Sequence, residues 1–234
     1  MRTWQVCDVM STDVATVREN TPYREIVDVL TSRRIAAVPV VDEFGYVLGV
    51  VSEGDLLHKV ELIGQSHDRP VFEGRRRRTA RIKADAATAT PLMTTPAVTV
   101  YPHTPVVVAA KTMNRRQVKR LPVIDDLGRL VGIVTRGDLL KVHLRPDGDI
   151  RHDVVWEVLR RVLAIEEGVV QVTVRDGVVR LTGQMDRRSS VEIAGRLAAQ
   201  VSGVVEVTDE LGFDFDDTRM VDLGSGRATF TGVA

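Results

Sequence analysis

One pattern of residues occurs twice in this chain, and the two copies stay 83 residues apart throughout. Four pairs of segments carry the repeat: Met10-Ser11 and Met93-Thr94, Thr21-Pro22 and Thr104-Pro105, Pro39-Val40-Val41-Asp42 and Pro122-Val123-Ile124-Asp125, and residues 49–55 and 132–138. A repeat that keeps its spacing without a gap indicates two copies of one supersecondary unit. Such units stack on one another because neither copy can bury its apolar face alone.

The composition indicates a soluble protein without a strong net charge. The 234 residues include 32 basic and 32 acidic side chains, so no global field attracts nucleic acid or an anionic membrane. The single cysteine, Cys7, cannot form an internal disulfide, which is typical of a reducing compartment. No apolar run approaches the ~20 residues of a membrane helix, and the amino terminus lacks the pattern of a secretory signal. We therefore expect a cytoplasmic protein that has no nucleic-acid partner.

Within each copy, the periodicity predicts a β-α-β-β-α unit. In the first copy, Thr16-Val17 is predicted to be a short strand, and Thr21-Pro22 to be the N-cap and first residue of a helix. Residues 37–51 are predicted to form an apolar hairpin, after which Ser52 begins a closing helix. The second copy repeats this order over residues 99–140.

These patterns predict the domain boundaries. The repeats are assigned to residues 1–60 and 89–145. Between them, residues 61–88 contain glycine, proline and four consecutive arginines, Arg75 to Arg78, and we predict a flexible linker with a short helix near residues 80–86. An arginine run of this kind is more typical of a solvated loop than of a phosphate or nucleic-acid contact.

A different pattern follows over residues 150–213. An amphipathic helix near residues 154–163 precedes two strands joined at Asp176-Gly177, a strong hairpin dipeptide. A second helix over residues 187–200 and a last strand complete a predicted α-β-β-α-β domain. Residues 214–234 have few large apolar side chains, and we predict a disordered tail.

The doubled motif resembles a tandem pair of cystathionine-β-synthase (CBS) domains, known as a Bateman module. Its marks are Pro-Val-Val/Ile-Asp and Gly-Val/Ile-Val-Ser/Thr-x-Gly-Asp-Leu-Leu in each copy. The resemblance implies an α/β (α+β) fold in which the two repeats pack with pseudo-twofold symmetry. It also implies a regulatory role, a homodimer formed through the CBS repeats, and two clefts that hold AMP, ADP, ATP or S-adenosylmethionine.

One pair of polar residues is expected in each cleft, Thr135 with Asp138 and Ser52 with Asp55. A hydroxyl at a helix start, beside exposed amides, suits a phosphate, and an aspartate one turn later suits a ribose diol. The alternative is that Ser52 and Thr135 are only N-caps and that the aspartates interact with the helix dipole.

The resemblance also implies the apolar wall of each cleft. It assigns Ala15, Ile35 and Ala36 to the adenine pocket of Thr135 and Asp138, and Val98 and Val118 to that of Ser52 and Asp55. Each of these residues is equally compatible with ordinary core packing.

The two copies differ at one chemically important position. The second copy has Lys119-Arg120 where the first has Ala36-Ala37. Basic side chains suit ligand phosphates, and arginine in particular suits a multidentate anion. We therefore expect the cleft of Thr135, Asp138, Lys119 and Arg120 to bind a phosphorylated nucleotide more tightly than the other cleft.

The carboxy-terminal segment resembles a BON domain, on residues 169–174, the hairpin 176–183, and Val201-Ser202-Gly203-Val204. BON domains are associated with phospholipid or with the cell envelope, mostly in exported proteins. Arginines that suit anionic head groups are Arg160, Arg161, Arg187 and Arg188. Because solvated basic patches are common, membrane association is the weaker interpretation and protein interaction the simpler one.

The sequence lacks the patterns of an enzyme. Cys7 has no nearby histidine in the sequence to activate it, and the five histidines have no metal-ligand spacing. Dinucleotide, Walker and nucleophile-elbow loops are absent from the sequence. We predict no catalytic residue, metal or catalytic cofactor. The leading hypothesis is an adenine-nucleotide sensor that acts on its BON domain or on an unidentified protein partner, and the alternative is a structural or envelope-associated interaction protein with empty clefts.

Overall fold

The computed structural model of this chain describes residues 4–61 and 75–218. The chain forms two compact units. Among the described residues, one unit comprises residues 5–61 and 75–139 and holds both repeats, and the other comprises Trp4 with residues 140–218. None of the helices within the described ranges has the length and apolar character needed to cross a lipid bilayer.

Both repeats have the predicted order of helices and strands. The first contains α1 (Tyr23–Arg33), β1 (Ala37–Val41), β2 (Val47–Ser52) and α2 (Glu53–Glu61). Two further helices follow, α3 (Arg75–Asp85) and α4 (Ala89–Leu92). The second repeat contains α5 (Val106–Arg116), β3 (Arg120–Ile124), β4 (Leu130–Thr135) and α6 (Arg136–Leu140).

The first predicted strand of each repeat is reduced to a single parallel bridge. Val17 pairs with Val40 in the first repeat, and Val100 pairs with Val123 in the second. Each of these bridges adds one residue beside an antiparallel hairpin, β1 with β2 or β3 with β4. The predicted order β-α-β-β-α is therefore confirmed, with a first strand that is shorter than expected.

The helix start predicted at Thr21-Pro22 is shifted by one residue. Pro22 itself is the N-cap of α1, with extended backbone angles. The hydroxyl of Thr21 instead accepts a hydrogen bond from the backbone N–H of Arg18 at 2.9 Å. Thr21 therefore stabilises the turn before the helix rather than the helix itself.

Each repeat is joined to the other through the Met-Ser or Met-Thr segment. Ser11 exchanges two backbone hydrogen bonds of 2.9 Å with Ile133, and Thr94 exchanges equivalent bonds with Val50. A Cβ atom on Gly132 would lie 2.7 Å from the sulfur of Met10, with a matching approach of Met93 to Gly49. The methionine and glycine motifs recur together because each methionine packs where a glycine of the other repeat leaves room.

The segment between the repeats contains more regular structure than predicted. Instead of a flexible linker over residues 61–88, α3 begins at Arg75 and packs against α2. Ala86, Ala89 and Leu92 join the apolar core of the first repeat. Small apolar side chains therefore dock this segment, and residues 62–74 lie outside the described part of the chain.

The second unit has the predicted α-β-β-α-β order. Its elements are α7 (Asp147–Asp153), which continues as a π-helix (Val154–Val162), then β5 (Val170–Arg175), β6 (Val178–Arg187), α8 (Arg188–Ala198) and β7 (Glu206–Phe215). The strands lie in the order β5-β6-β7, with β5 antiparallel and β7 parallel to β6. The buried faces of the helices and the sheet form one apolar core.

A carboxylate that is distant in the sequence stabilises the turn of the hairpin between β5 and β6. Asp176 and Gly177 both have positive φ angles, 52° and 76°, as a type I′ turn requires. The Asp147 carboxylate accepts hydrogen bonds from both of their backbone N–H groups, at 2.8 and 2.9 Å. The start of α7 thereby holds the hairpin tip.

The end of the second unit continues beyond the predicted strand. Strand β7 reaches Phe215, although residues 214–234 were expected to be disordered. Asp217 then accepts hydrogen bonds from the backbone N–H of Ser189 at 3.0 Å and from its hydroxyl at 2.6 Å. Asp216 accepts hydrogen bonds from Thr218 and Arg188. This segment therefore caps the start of α8, while residues 219–234 lie outside the described part of the chain.

We expect acid to release this cap. The hydrogen bond from the Ser189 hydroxyl lowers the pKa of Asp217, and the one from the Thr218 hydroxyl lowers the pKa of Asp216. A carboxylate with a depressed pKa in the folded state stabilises it above the ordinary pKa of ~3.9 and loses that effect as the pH falls through the lower folded value. The protection factor of the Ser189 amide, which compares its exchange with that of an unstructured peptide at the same pH, should fall in that range when it is followed by NMR. The same pH response in Asp217→Asn would contradict this account.

Candidate functional site: the two helix starts between the repeats

The predicted polar pairs lie at equivalent positions in the two repeats. Ser52 is the last residue of β2, and α2 begins directly after it. Thr135 is the last residue of β4, and α6 begins directly after it. Each strand thus delivers a hydroxyl to the first turn of a helix, where backbone N–H groups are not yet paired.

A carboxylate locks each hydroxyl in place. Both the backbone N–H and the hydroxyl of Ser52 donate to Oδ2 of Asp55, at 2.8 and 2.6 Å. The corresponding groups of Thr135 donate to Oδ2 of Asp138, at 2.9 and 2.7 Å. In the second repeat, the backbone N–H of Asp138 also donates to the Thr135 hydroxyl at 3.2 Å, which completes a capping box. The N-cap interpretation agrees with these contacts. The hydroxyl and backbone N–H groups therefore use the same oxygen, Oδ2, of each carboxylate.

The first pair has an additional partner that sequence reasoning missed. The ammonium of Lys83, from α3, forms an ion pair with Oδ1 of Asp55 and also donates to the hydroxyl of Thr94 at 3.2 Å. Lys83 is 8% exposed. Its only sequence signal is a lysine between apolar positions in a segment expected to be flexible.

Of the two basic residues of the second repeat, Lys119 and Arg120, it is Arg120 that contacts the first repeat. Arg120 pairs with Thr135 in the β3–β4 register, but its guanidinium reaches the carbonyl of Ala37 in the first repeat at 3.5 Å. Partial burial lowers the pKa of Arg120, and the Glu53 carboxylate opposes that shift. The side chain of Lys119 is exposed. Arg120 is therefore directed toward the start of α2 as much as toward its own repeat.

The five predicted apolar residues, Ala15, Ile35, Ala36, Val98 and Val118, are all partly buried. Ile35 packs against the core of the first repeat. The carbonyl of Ala36 accepts a hydrogen bond from the backbone N–H of Glu53, and that of Val118 accepts one from the Arg136 guanidinium. Ala36 and Val118 thus lie beside the two helix starts, while the grouping of all five into adenine pockets stays a prediction.

Three of the four arginines considered for lipid contact in the second unit form ion pairs with acidic side chains. Arg160 pairs with Glu167, and Arg161 pairs with Glu157. Arg188 pairs with Glu192 and Asp216. Local neutralisation of this kind weakens the attraction of these side chains to an anionic surface.

Comparison with known proteins agrees with both resemblances. The CBS domain model matches residues 6–62 and 89–145, and the BON domain model matches residues 147–213. The "CBS domain-containing protein YhcV" of Bacillus subtilis is 30% identical over 134 residues, which cover 57% of this chain and 81% of YhcV.

Two further relatives have names that mention a nucleotide. The "5'-AMP-activated protein kinase subunit gamma-3" of Bos taurus is 30% identical over 55% of this chain and 24% of its own. The crystal structure of CBSX2, a protein of Arabidopsis thaliana, in complex with AMP has a TM-score of 0.53. It is 26% identical and covers 60% of this chain and 97% of CBSX2.

The first curated relatives are much longer than the matched region, since this chain spans only about a quarter of their length. The match to YhcV covers most of that relative, and the two family models together account for the repeats and for the carboxy-terminal unit. The chain therefore belongs to the CBS-domain family, with a pair of CBS domains followed by a BON domain.

Proposed function

We propose that the CBS pair is a regulatory sensor of an adenosine-containing ligand, either AMP, ADP, ATP or S-adenosylmethionine. The observation that carries the proposal is the doubled Ser/Thr–Asp pair, fixed by equivalent hydrogen bonds at the two helix starts. CBSX2, which is similar to this chain, is described in complex with AMP, and the name of the kinase subunit refers to AMP activation. In this proposal the chain has no catalytic role.

The ligand would connect groups from both repeats. A phosphate would interact with the amides of a helix start, and a ribose diol would donate to the neighbouring aspartate. The guanidinium of Arg120, which lies close to Ala37 and Glu53, supplies a charged donor beside the first repeat. Binding would favour one packing of the repeats, and that preference would pass to the BON domain or to a protein partner.

Isothermal calorimetry of the purified chain tests the proposal. AMP, ADP, ATP, NAD and S-adenosylmethionine are titrated in turn at moderate salt. We expect one of the adenosine-containing ligands to bind with micromolar affinity. If a folded chain binds none of them, the proposal is wrong, and the alternative of an interaction protein with empty clefts is then tested with liposomes and pull-down assays.

A homodimer through the CBS repeats is also part of the proposal. Helices α1 and α2 border an open groove of about 580 Å³, lined mainly by apolar side chains that include Val27, Leu30 and Leu57. Leu57 and Val60 are 53% and 56% exposed. Exposed apolar side chains beside such a groove are typical of an interaction surface.

Light scattering should give about twice the monomer mass of 25.8 kDa. Leu57→Asp should lower the mass to that of one chain, because a charge would have to be buried at the interface. Exposed Leu127, at the β3–β4 turn, offers a control, and Leu127→Asp should leave the mass unchanged. A monomeric mass for the wild type would refute this part of the proposal.

A further inference from the structure

One charged side chain of the second repeat lies beside an acidic residue of the first. Arg120 is partly buried, and its guanidinium donates to the carbonyl of Ala37 at 3.5 Å. Ala37 pairs with Ser52 in the β1–β2 register, and Glu53 follows Ser52 as the first residue of α2. The backbone N–H of Glu53 donates to the carbonyl of Ala36, next to the carbonyl that Arg120 contacts. Arg120 and Glu53 are therefore neighbours, although they belong to different repeats.

The two side chains influence each other through their charges. Burial lowers the pKa of Arg120, and the Glu53 carboxylate opposes this shift because it favours the charged guanidinium. The acceptor of the guanidinium is the Ala37 carbonyl, while the Glu53 side chain is exposed. An exposed carboxylate leaves room for a second anion at Arg120, but its negative charge stays close to that anion.

We propose that Glu53 determines the charge selectivity of the nucleotide site that contains Arg120. The proposal rests on the proposed function, in which Arg120 supplies a donor for the ligand. It adds that a carboxylate of the first repeat lowers the affinity for each further negative charge on the ligand. Charge is then the property by which the site discriminates among AMP, ADP, ATP and S-adenosylmethionine.

The charges of the ligands give the expected order. A phosphate group carries about two negative charges at neutral pH, and each further phosphate of ADP and ATP adds more. The repulsion between like charges falls only with the inverse of their distance, so Glu53 acts on a phosphate without touching it. The sulfonium group of S-adenosylmethionine is a cation, which a carboxylate attracts. Glu53 should therefore oppose ATP more than AMP and favour S-adenosylmethionine.

This combination of charges occurs at one of the two equivalent positions. With the spacing of 83 residues, Ala37 is the counterpart of Arg120, and Arg136 is the counterpart of Glu53. The Arg136 guanidinium donates to the carbonyl of Val118 in its own repeat at 3.2 Å. The counterpart of the Arg120 and Glu53 pair thus has a cation where Glu53 has an anion. Arginine is therefore a residue type that the start of the closing helix accepts at this position.

A structural role for Glu53 predicts a different result. If the carboxylate served only to hold Arg120 or to interact with the dipole of α2, its removal would weaken every ligand or leave binding unchanged. If it repels phosphates, its removal strengthens their binding, and the gain increases with the ligand charge. Salt also separates the two roles, because the Debye length falls from about 10 Å at 0.1 M to about 3 Å at 1 M.

Calorimetry of the full chain with AMP, ADP, ATP and S-adenosylmethionine tests the inference at about 0.1 M and about 1 M salt. At the lower salt, Glu53→Gln should bind AMP about threefold and ATP about tenfold more tightly than the wild type, and S-adenosylmethionine more weakly. Glu53→Arg should extend both trends, and the higher salt should remove most of the difference. The control Glu43→Gln neutralises an exposed carboxylate at the β1–β2 turn and should match the wild type within about twofold.

Three results would overturn the inference while the proposed function stands. The first is nucleotide affinity in Glu53→Gln that is unchanged or lower. The second is a gain that does not depend on the ligand charge, or that persists undiminished at the higher salt. The third applies if the wild type binds only S-adenosylmethionine, and it is unchanged or stronger binding of that ligand in Glu53→Gln. Glu53→Arg provides the same test if Glu53→Gln does not fold. If neither the wild type nor these variants bind any ligand, the proposed function itself fails, and this inference fails with it.

Discussion

Replacing Asp138 by alanine should weaken nucleotide binding about 5- to 150-fold. The carboxylate is the group expected to accept hydrogen bonds from a ribose diol, and it also fixes the hydroxyl and the N–H of Thr135. Loss of a hydrogen bond to a charged group costs about 1–3 kcal/mol, and 1.4 kcal/mol corresponds to a factor of ten. Calorimetry with the ligand that binds the wild type measures the change.

The matched control for this variant is Asp125→Ala. Asp125 is a carboxylate of the same repeat that accepts hydrogen bonds from the backbone N–H groups of Leu127 and Arg129. It organises the β3–β4 turn rather than a helix start. Its loss should leave the affinity within about twofold, and equal effects of the two substitutions would show that Asp138 acts only through stability.

Replacing Arg145 by alanine should destabilise the carboxy-terminal unit by about 3–5 kcal/mol, the range measured when one partner of a buried ion pair is removed. Only 7% of the Arg145 side chain is exposed, and it pairs with Asp153 at 2.8 Å. Its guanidinium also donates to the carbonyl of Ser202 and lies 5.6 Å from the centre of the Trp4 ring. Its removal therefore leaves Asp153 without its ion-pair partner and a carbonyl without its donor.

Urea unfolding of the full chain, followed by tryptophan fluorescence from this unit, measures the loss. Arg161→Ala is the control, because Arg161 pairs with Glu157 at the surface with 73% of its side chain exposed. Exposed pairs contribute about 0–1 kcal/mol, so this variant should unfold almost like the wild type. A similar midpoint for Arg145→Ala and Arg161→Ala would contradict the importance given to the buried pair.

The order of the elements was predictable because local patterns determine it. The Asp176-Gly177 turn requires two positive φ angles, and the sequence supplies a dipeptide that tolerates them. The continuous apolar runs of β1 and β3 are likewise visible in a short stretch of sequence. One local prediction was nevertheless wrong. Thr21 was predicted to be the N-cap of α1, but the N-cap is Pro22, because a threonine hydroxyl can stabilise a turn as well as a helix start.

The missed features depend on contacts between distant residues. Sequence periodicity identifies Ser52 and Asp55 as a pair, but it cannot show that Lys83, 28 residues further along, lies against the same carboxylate. The packing of α3 against α2 and the cap that Asp217 provides for α8 also depend on contacts between residues that are distant in the sequence. Residues 61–88 were predicted to be a flexible linker with a short helix and residues 214–234 a disordered tail, but contacts of Ala86 and Asp217 with distant residues hold parts of both segments in place.

The central claim is that an adenosine-containing ligand binds between the two CBS repeats, and hydrogen–deuterium exchange with and without saturating ligand tests it most directly. We expect slower exchange of the amides at residues 135–138, at the start of α6, and at residues 35–37 of the first repeat, with a weaker response in Asp138→Ala. Unchanged exchange throughout residues 5–139, or protection confined to residues 140–218, would contradict the claim.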